Sequence, residues 1–158
     1  MKLRPQLMPP LLDEALVARL AVLAAEIDCG DPLETREQLA TFNREAMTSY
    51  EFIDFQGIYG GQEHITWVRS VLSTPHQQRV VDITRSELIE IARRVLESDG
   101  PQHVIEFWLD MLAINIPDER ISDLIFWPDD YFGRKTDRQT FTPEQLIDVA
   151  LAGRPIAP

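Results

Sequence analysis

Three stretches of this chain open with the same helix-start syntax, and that repetition constrains the fold more than any other feature. Thr84-Arg85-Ser86-Glu87 is a capping box, in which the Thr hydroxyl can accept from the Glu87 amide while the Glu carboxylate reaches back to the Thr84 amide. Thr142-Pro143-Glu144-Gln145 repeats it with Pro at the first helical position, where a missing N–H costs nothing. Asp31-Pro32-Leu33-Glu34 has the same form. Apolar residues recur at helical spacing along the chain: Leu88, Ile91, Ala92, Val95 and Leu96; Val104, Trp108, Met111 and Leu112; Leu146, Ile147, Ala150 and Leu151, ending before Gly153 and Pro155. Glu90 faces Arg93 and Arg94 on the expected solvent side. No segment alternates apolar and polar residues over more than a few positions, so an all-α fold is expected.

The same reasoning expects helices over about 11–27, 32–46, 50–59 and 62–72 in the first half, with a stop at Gly60-Gly61 and a polar linker over 73–79. The chain of 158 residues then reads as a helical N-terminal region, 1–78, and a second helical domain, 79–158. Both halves run long helix, break at Gly30 or Gly100, second helix, short aromatic segment, final helix, which raises a duplication as one origin of the plan.

Charge narrows the partners. Lys plus Arg number 15 against 26 Asp plus Glu, a net charge of -11, which argues against a surface built for nucleic acid or anionic membrane and favours a basic protein partner. Residues 81–158 hold 8 basic and 15 acidic residues, net -7, against 7 and 11, net -4, in residues 1–80. No apolar run approaches the roughly 20 residues that span a bilayer. The opening MKLRPQLMPPLL is broken by Pro5, Pro9 and Pro10 and has no small-residue cleavage site, so a cytoplasmic protein is expected. The single Cys29 allows no internal disulfide or cysteine metal cluster and is expected to be a half-buried small hydrophobe.

The segment Ser122-Asp123-Leu124-Ile125-Phe126-Trp127-Pro128, set between the Thr84 and Thr142 starts, resembles the bacteriocin immunity proteins of E-type colicins and S-type pyocins. Their hallmark is a very short third helix reading Ser-Asp-Leu-Ile-Tyr-Tyr-Pro; Ser122, Asp123, Leu124, Ile125 and Pro128 match it, and Phe126 and Trp127 replace the two tyrosines. The resemblance covers about residues 82–158, and the whole chain is similar to a longer branch of immunity proteins in polymorphic toxin systems. It implies a four-helix bundle with a short third helix that binds a secreted toxin's nuclease domain and blocks it. It implies further that Asp123, Phe126 and Trp127 form the anchor, while the second helix selects the toxin. The family's tyrosine hydroxyls are absent here.

Read without the resemblance, the short segment needs packing to persist, since it is too brief to survive on propensity. Leu124 and Ile125 can face a core while Asp123 and an aromatic face out; the competing arrangement has Phe126 and Trp127 both plugging the bundle. On the second helix, His103, Glu106 and Asp110 fall on one stripe bordered by Phe107 and Ile114, which is a candidate binding face or an ordinary solvated one. His64, His76 and His103 have no metal-ligand spacing, Asp129-Asp130 reads as a solvated turn, and Gly60-Gly61-Gln62 as a helix stop and start. No catalytic constellation, cofactor motif or metal site is expected. The expected function is binding of a cognate toxin, most simply a basic nuclease domain, with an acidic adaptor for another basic protein as the alternative. Residues 1–80 are left as a second binding module, a homodimerisation element or scaffold.

Overall fold

The chain is described here from a computed structural model over residues 1–58, 63–116, 121–133 and 141–152. Where the capping boxes stand, helices begin as their chemistry dictates. Glu87 N donates to Thr84 Oγ1 at 3.1 Å and Thr84 N to Glu87 Oε1 at 2.9 Å. Gln145 N donates to Thr142 Oγ1 at 3.1 Å and Thr142 N to Gln145 Oε1 at 2.9 Å. The elements are α1 (Glu14–Asp28), α2 (Arg36–Ala46), a 3₁₀ turn (Phe52–Phe55), α3 (His64–Ser73), α4 (Arg85–Leu96), α5 (Gln102–Asn115), α6 (Ile121–Phe126), α7 (Pro128–Phe132) and α8 (Pro143–Ala152), with further 3₁₀ turns at Pro5–Leu7 and Thr74–His76. The fold is all-α: among the described residues there is no strand, and no helix is long and apolar enough to cross a membrane.

Two compact units divide the chain, one of residues 10–75 and one of residues 1–9 with 76–158. Residues 1–9, grouped with the first half on sequence, therefore belong to the second unit. In the 10–75 unit, α1 packs against α2 and α3. The core gathers Val17, Leu20, Ala24 and Ile27 from α1 around Phe42, Phe55 and Val68. Phe55 meets Phe42 edge-on at 5.0 Å and Trp67 at 5.2 Å.

In the other unit, α4 packs against α5 and α8, and α6 against α5, α7 and α8. Leu88, Ile91 and Val95 of α4 meet Trp108, Met111 and Leu112 of α5, Leu124 of α6 and Ile147 of α8 in one core. Leu3 and Leu7 of the N-terminal strap join it. Arg4 fastens the strap, donating to both Glu87 carboxylate oxygens at 2.7 and 2.8 Å and to Asp82 at 3.1 Å.

Several local expectations change. Within the expected 50–59 helix the described residues form a 3₁₀ turn, Phe52–Phe55, with Gly57 beyond it at φ 86°, and Tyr59 lies outside the described residues. The Asp31 start is a turn: Asp31 Oδ1 accepts from Leu33 N and Glu34 N, and α2 begins only at Arg36. Gly30 is required there, because a Cβ would lie 2.7 Å from Glu26 O and collide with Thr35 Cγ2. Glu90 is buried rather than solvated, held by Arg93 and by Arg94 Nε at 2.8 Å, with the Arg94 guanidinium 5.2 Å over the Trp108 ring. Cys29 is exposed. The 73–79 linker is structured: α3 runs to Ser73, and Gln78 N donates to Met111 Sδ at 3.5 Å. The expected stops at Gly60-Gly61-Gln62 and at Gly153 and Pro155 lie outside the described residues, as does the Asp130 side chain.

Candidate functional surface

A six-residue helix cannot hold itself together, so α6 exists because its core side pins it. Ile121 and Leu124 are fully enclosed, and Ile125 is half-buried against the same core. Its C-terminal end is fixed as well. Trp127 N donates to Asp123 O at 2.7 Å, Pro128 opens α7, and Tyr131 N donates to Trp127 O at 3.0 Å while the Tyr131 ring is buried. The backbone through Phe126 and Trp127 is thus held from both sides, yet the two rings face water, Phe126 at 51% exposure and Trp127 at 64%. Asp123 sits half-buried one turn earlier on the same helix. Of the two arrangements the sequence allows, the one with aromatics outward is present, and neither ring plugs the core.

The α5 face is split by the structure. His103 and Glu106 are half-buried, Gln102 Nε2 donates to Glu106 Oε1 at 3.0 Å, and Asp110 is exposed. Phe107 does not belong to this face: it is 1% exposed and packs edge-on with Trp108 at 5.9 Å, because its position on the helix turns it toward the core rather than the rim. Ile114, one turn past Asp110, stays 39% exposed. Gln77 was missed on sequence because it lies in the presumed linker; its Nε2 donates to Asp110 Oδ2 at 2.9 Å. Neighbouring side chains strip water from the Asp110 carboxyl and raise it above its ordinary value; the Gln77 bond opposes the rise and Glu106 adds to it.

Charge falls differently once the boundaries are structural. Residues 10–75 carry 4 Lys plus Arg against 11 Asp plus Glu, net -7, and the other unit 11 against 15, net -4. Lys2, Arg4 and Arg79 move to the unit with the aromatic pair, so the denser acid lies in the unit without it. Among the described residues no three His, Cys, Asp or Glu side chains converge as a metal site. A shallow groove of about 340 Å³ runs between α1 and α2, lined by Arg19, Val22, Leu23, Thr41 and Glu45, with Arg19 paired to Glu45 across it at 3.2 Å.

Compared with protein-family models, with curated proteins and with solved structures, the chain matches none.

Proposed function

We propose that this chain is an immunity protein that binds a cognate bacteriocin or polymorphic toxin, at a basic nuclease domain, and neutralises it without turnover in the cytoplasm of the producing cell. The observation that carries the reading is the outward pair Phe126 and Trp127, presented beside Asp123 at the end of a helix too short to exist except as a pinned platform. Rigid aromatics lose little entropy on binding and supply large apolar contact, the profile of a central anchor. The match of Ser122, Asp123, Leu124, Ile125 and Pro128 to the immunity motif gives the anchor its candidate partner class. A net charge of -11 gives the complement to a cationic nuclease.

An acidic adaptor for some other basic protein draws on the same charge, and one experiment separates the two. The chain is co-expressed with the nuclease domain encoded by the neighbouring reading frame, and survival is scored. Rescue of growth is the expected result. Purified nuclease is then titrated with the chain: activity should fall linearly and vanish by one equivalent of chain. Failure to rescue, or full inhibition at a hundredth of an equivalent, overturns the proposal.

A further inference from the structure

The two units share one packing pattern. In each, the first helix packs against the second and the last: α1 on α2 and α3, and α4 on α5 and α8. Phe55 rests on Phe42 of α2 and Trp67 of α3, and its 3₁₀ turn also packs on α1, whereas α6 packs on α5, α7 and α8.

The short element of the 10–75 unit is fastened along its backbone. Asn43 Nδ2 donates to Tyr50 O at 2.9 Å while Asn43 Oδ1 accepts from Tyr50 N at 3.0 Å. Glu51 N donates to Asp54 Oδ2 at 2.8 Å, and Gln56 Nε2 to Ile27 O at 3.0 Å. On this fixed frame Met47 is 90% exposed and Ile53 69%, with Glu51 and Asp54 also exposed. Met47 holds φ 59°, left-handed backbone at a helix end where glycine is the inexpensive choice. As at α6, acids stand with outward apolar side chains on a preorganised stretch, here running from the end of α2 at Met47 through the 3₁₀ turn, in a unit whose net charge of -7 complements a basic surface.

We propose that Met47, Glu51, Ile53 and Asp54 form a second docking surface, which takes a basic nuclease domain of the same kind as the Asp123, Phe126 and Trp127 surface takes, so that the chain is bivalent. This rests on the proposed function and adds a stoichiometry to it.

The test mixes the full chain with an inactive variant of the neighbouring nuclease domain and reads complex mass by sedimentation equilibrium. Two nuclease domains per chain are expected for the parent, one for the Met47→Gln, Ile53→Gln double variant, one for Trp127→Ala, and none for the three changes combined. Glu51→Lys, which keeps the apolar side chains, should weaken the second binding event at least tenfold. Thermal melts accompany each variant; the Met47 and Ile53 side chains are outward, so their replacement leaves melting unchanged. A complex of one nuclease per chain that Trp127→Ala abolishes and the double variant leaves intact overturns the second surface and spares the proposed function. A single nuclease lost with either set means one partner spanning both surfaces and overturns bivalency. Two nucleases bound regardless of the double variant overturns the assignment to these residues, and no complex at all overturns both readings.

Discussion

Trp127→Ala separates an anchor from a plug, because the exposure of the ring fixes how much energy is available to each role. A Trp side chain offers up to about 250 Å² of surface. With 64% of it exposed, about 160 Å² is left for a partner to cover, worth about 4 kcal/mol at about 25 cal/mol per Å². The remaining roughly 90 Å² sets an upper bound of about 2 kcal/mol on what the truncation removes from folding, and a collapsed unfolded chain lowers that further. A ring that plugged the bundle would cost about 3 to 5 kcal/mol in folding instead. Isothermal calorimetry with the nuclease domain, in the Met47→Gln, Ile53→Gln background so that one surface reports, should show affinity lost by a hundredfold or more. Urea unfolding of the same protein should show no more than about 2 kcal/mol of destabilisation. A folding loss above about 3 kcal/mol would refute the reasoning from exposure, and unchanged affinity in a folded variant would refute the anchor.

Leu7→Ala should cost the second unit about 2 to 5 kcal/mol in urea unfolding, since Leu7 is 0% exposed, whereas Leu11→Ala, fully outward, should stay within about 0.5 kcal/mol; equal effects would dissolve the role of the strap. Glu87 and Glu90 titrate below their ordinary value of 4.5, Glu87 through its bonds from Arg4 and Glu90, at about 2, through Arg93 and then Arg94. A lowered folded-state value means their contribution is complete above pH 4.5 and is lost as pH falls toward 2, so melting temperature should drop across that window and drop less in Glu90→Gln. Glu106→Gln with Asp110→Asn should leave folding within about 0.5 kcal/mol yet change the ranking among related nucleases; an unaltered ranking removes α5 from the interface. Raising salt from about 10 to 150 mM should slow association steeply and leave dissociation nearly constant, and a salt-independent on-rate would exclude steering by the acidic surface.

What the sequence disclosed was chemistry completed within one turn. The boxes at Thr84 and Thr142 need only residues three apart, and both formed with reciprocal bonds. Asp31 shows the limit of that logic: its carboxylate accepts from the amides two and three residues on, as a helix cap would, and still closes only a turn before Thr35. The outward rings of Phe126 and Trp127 were legible as one of two arrangements, since Ile121 and Leu124 already supply the inward side. Contacts between distant residues were not legible. Leu3 and Leu7 straddle Pro5 and carry no helix signal, and their place beside Arg4 depends on Glu87, 83 residues away from it. Phe107 and Glu90 were misplaced because a helical wheel gives angular spacing but not the width of the buried arc: Phe107 packs on Trp108, and Glu90 is enclosed by Arg93 and Arg94.

The misplaced strap also redistributes the electrostatics. With Lys2 and Arg4 assigned to the unit that holds Phe126 and Trp127, the -7 of residues 10–75 stands in the other unit. Long-range attraction scales with net charge and sets encounter, whereas an aromatic anchor acts only after contact and sets residence time. Under the proposed function, neutralising acids of the 10–75 unit that lie outside Met47–Asp54, such as Glu34 and Glu37, therefore lowers the association rate while leaving dissociation from the Trp127 surface unchanged. Trp127→Ala does the reverse. If both sets of changes act on dissociation alone, the acid of the first unit belongs to contact rather than steering.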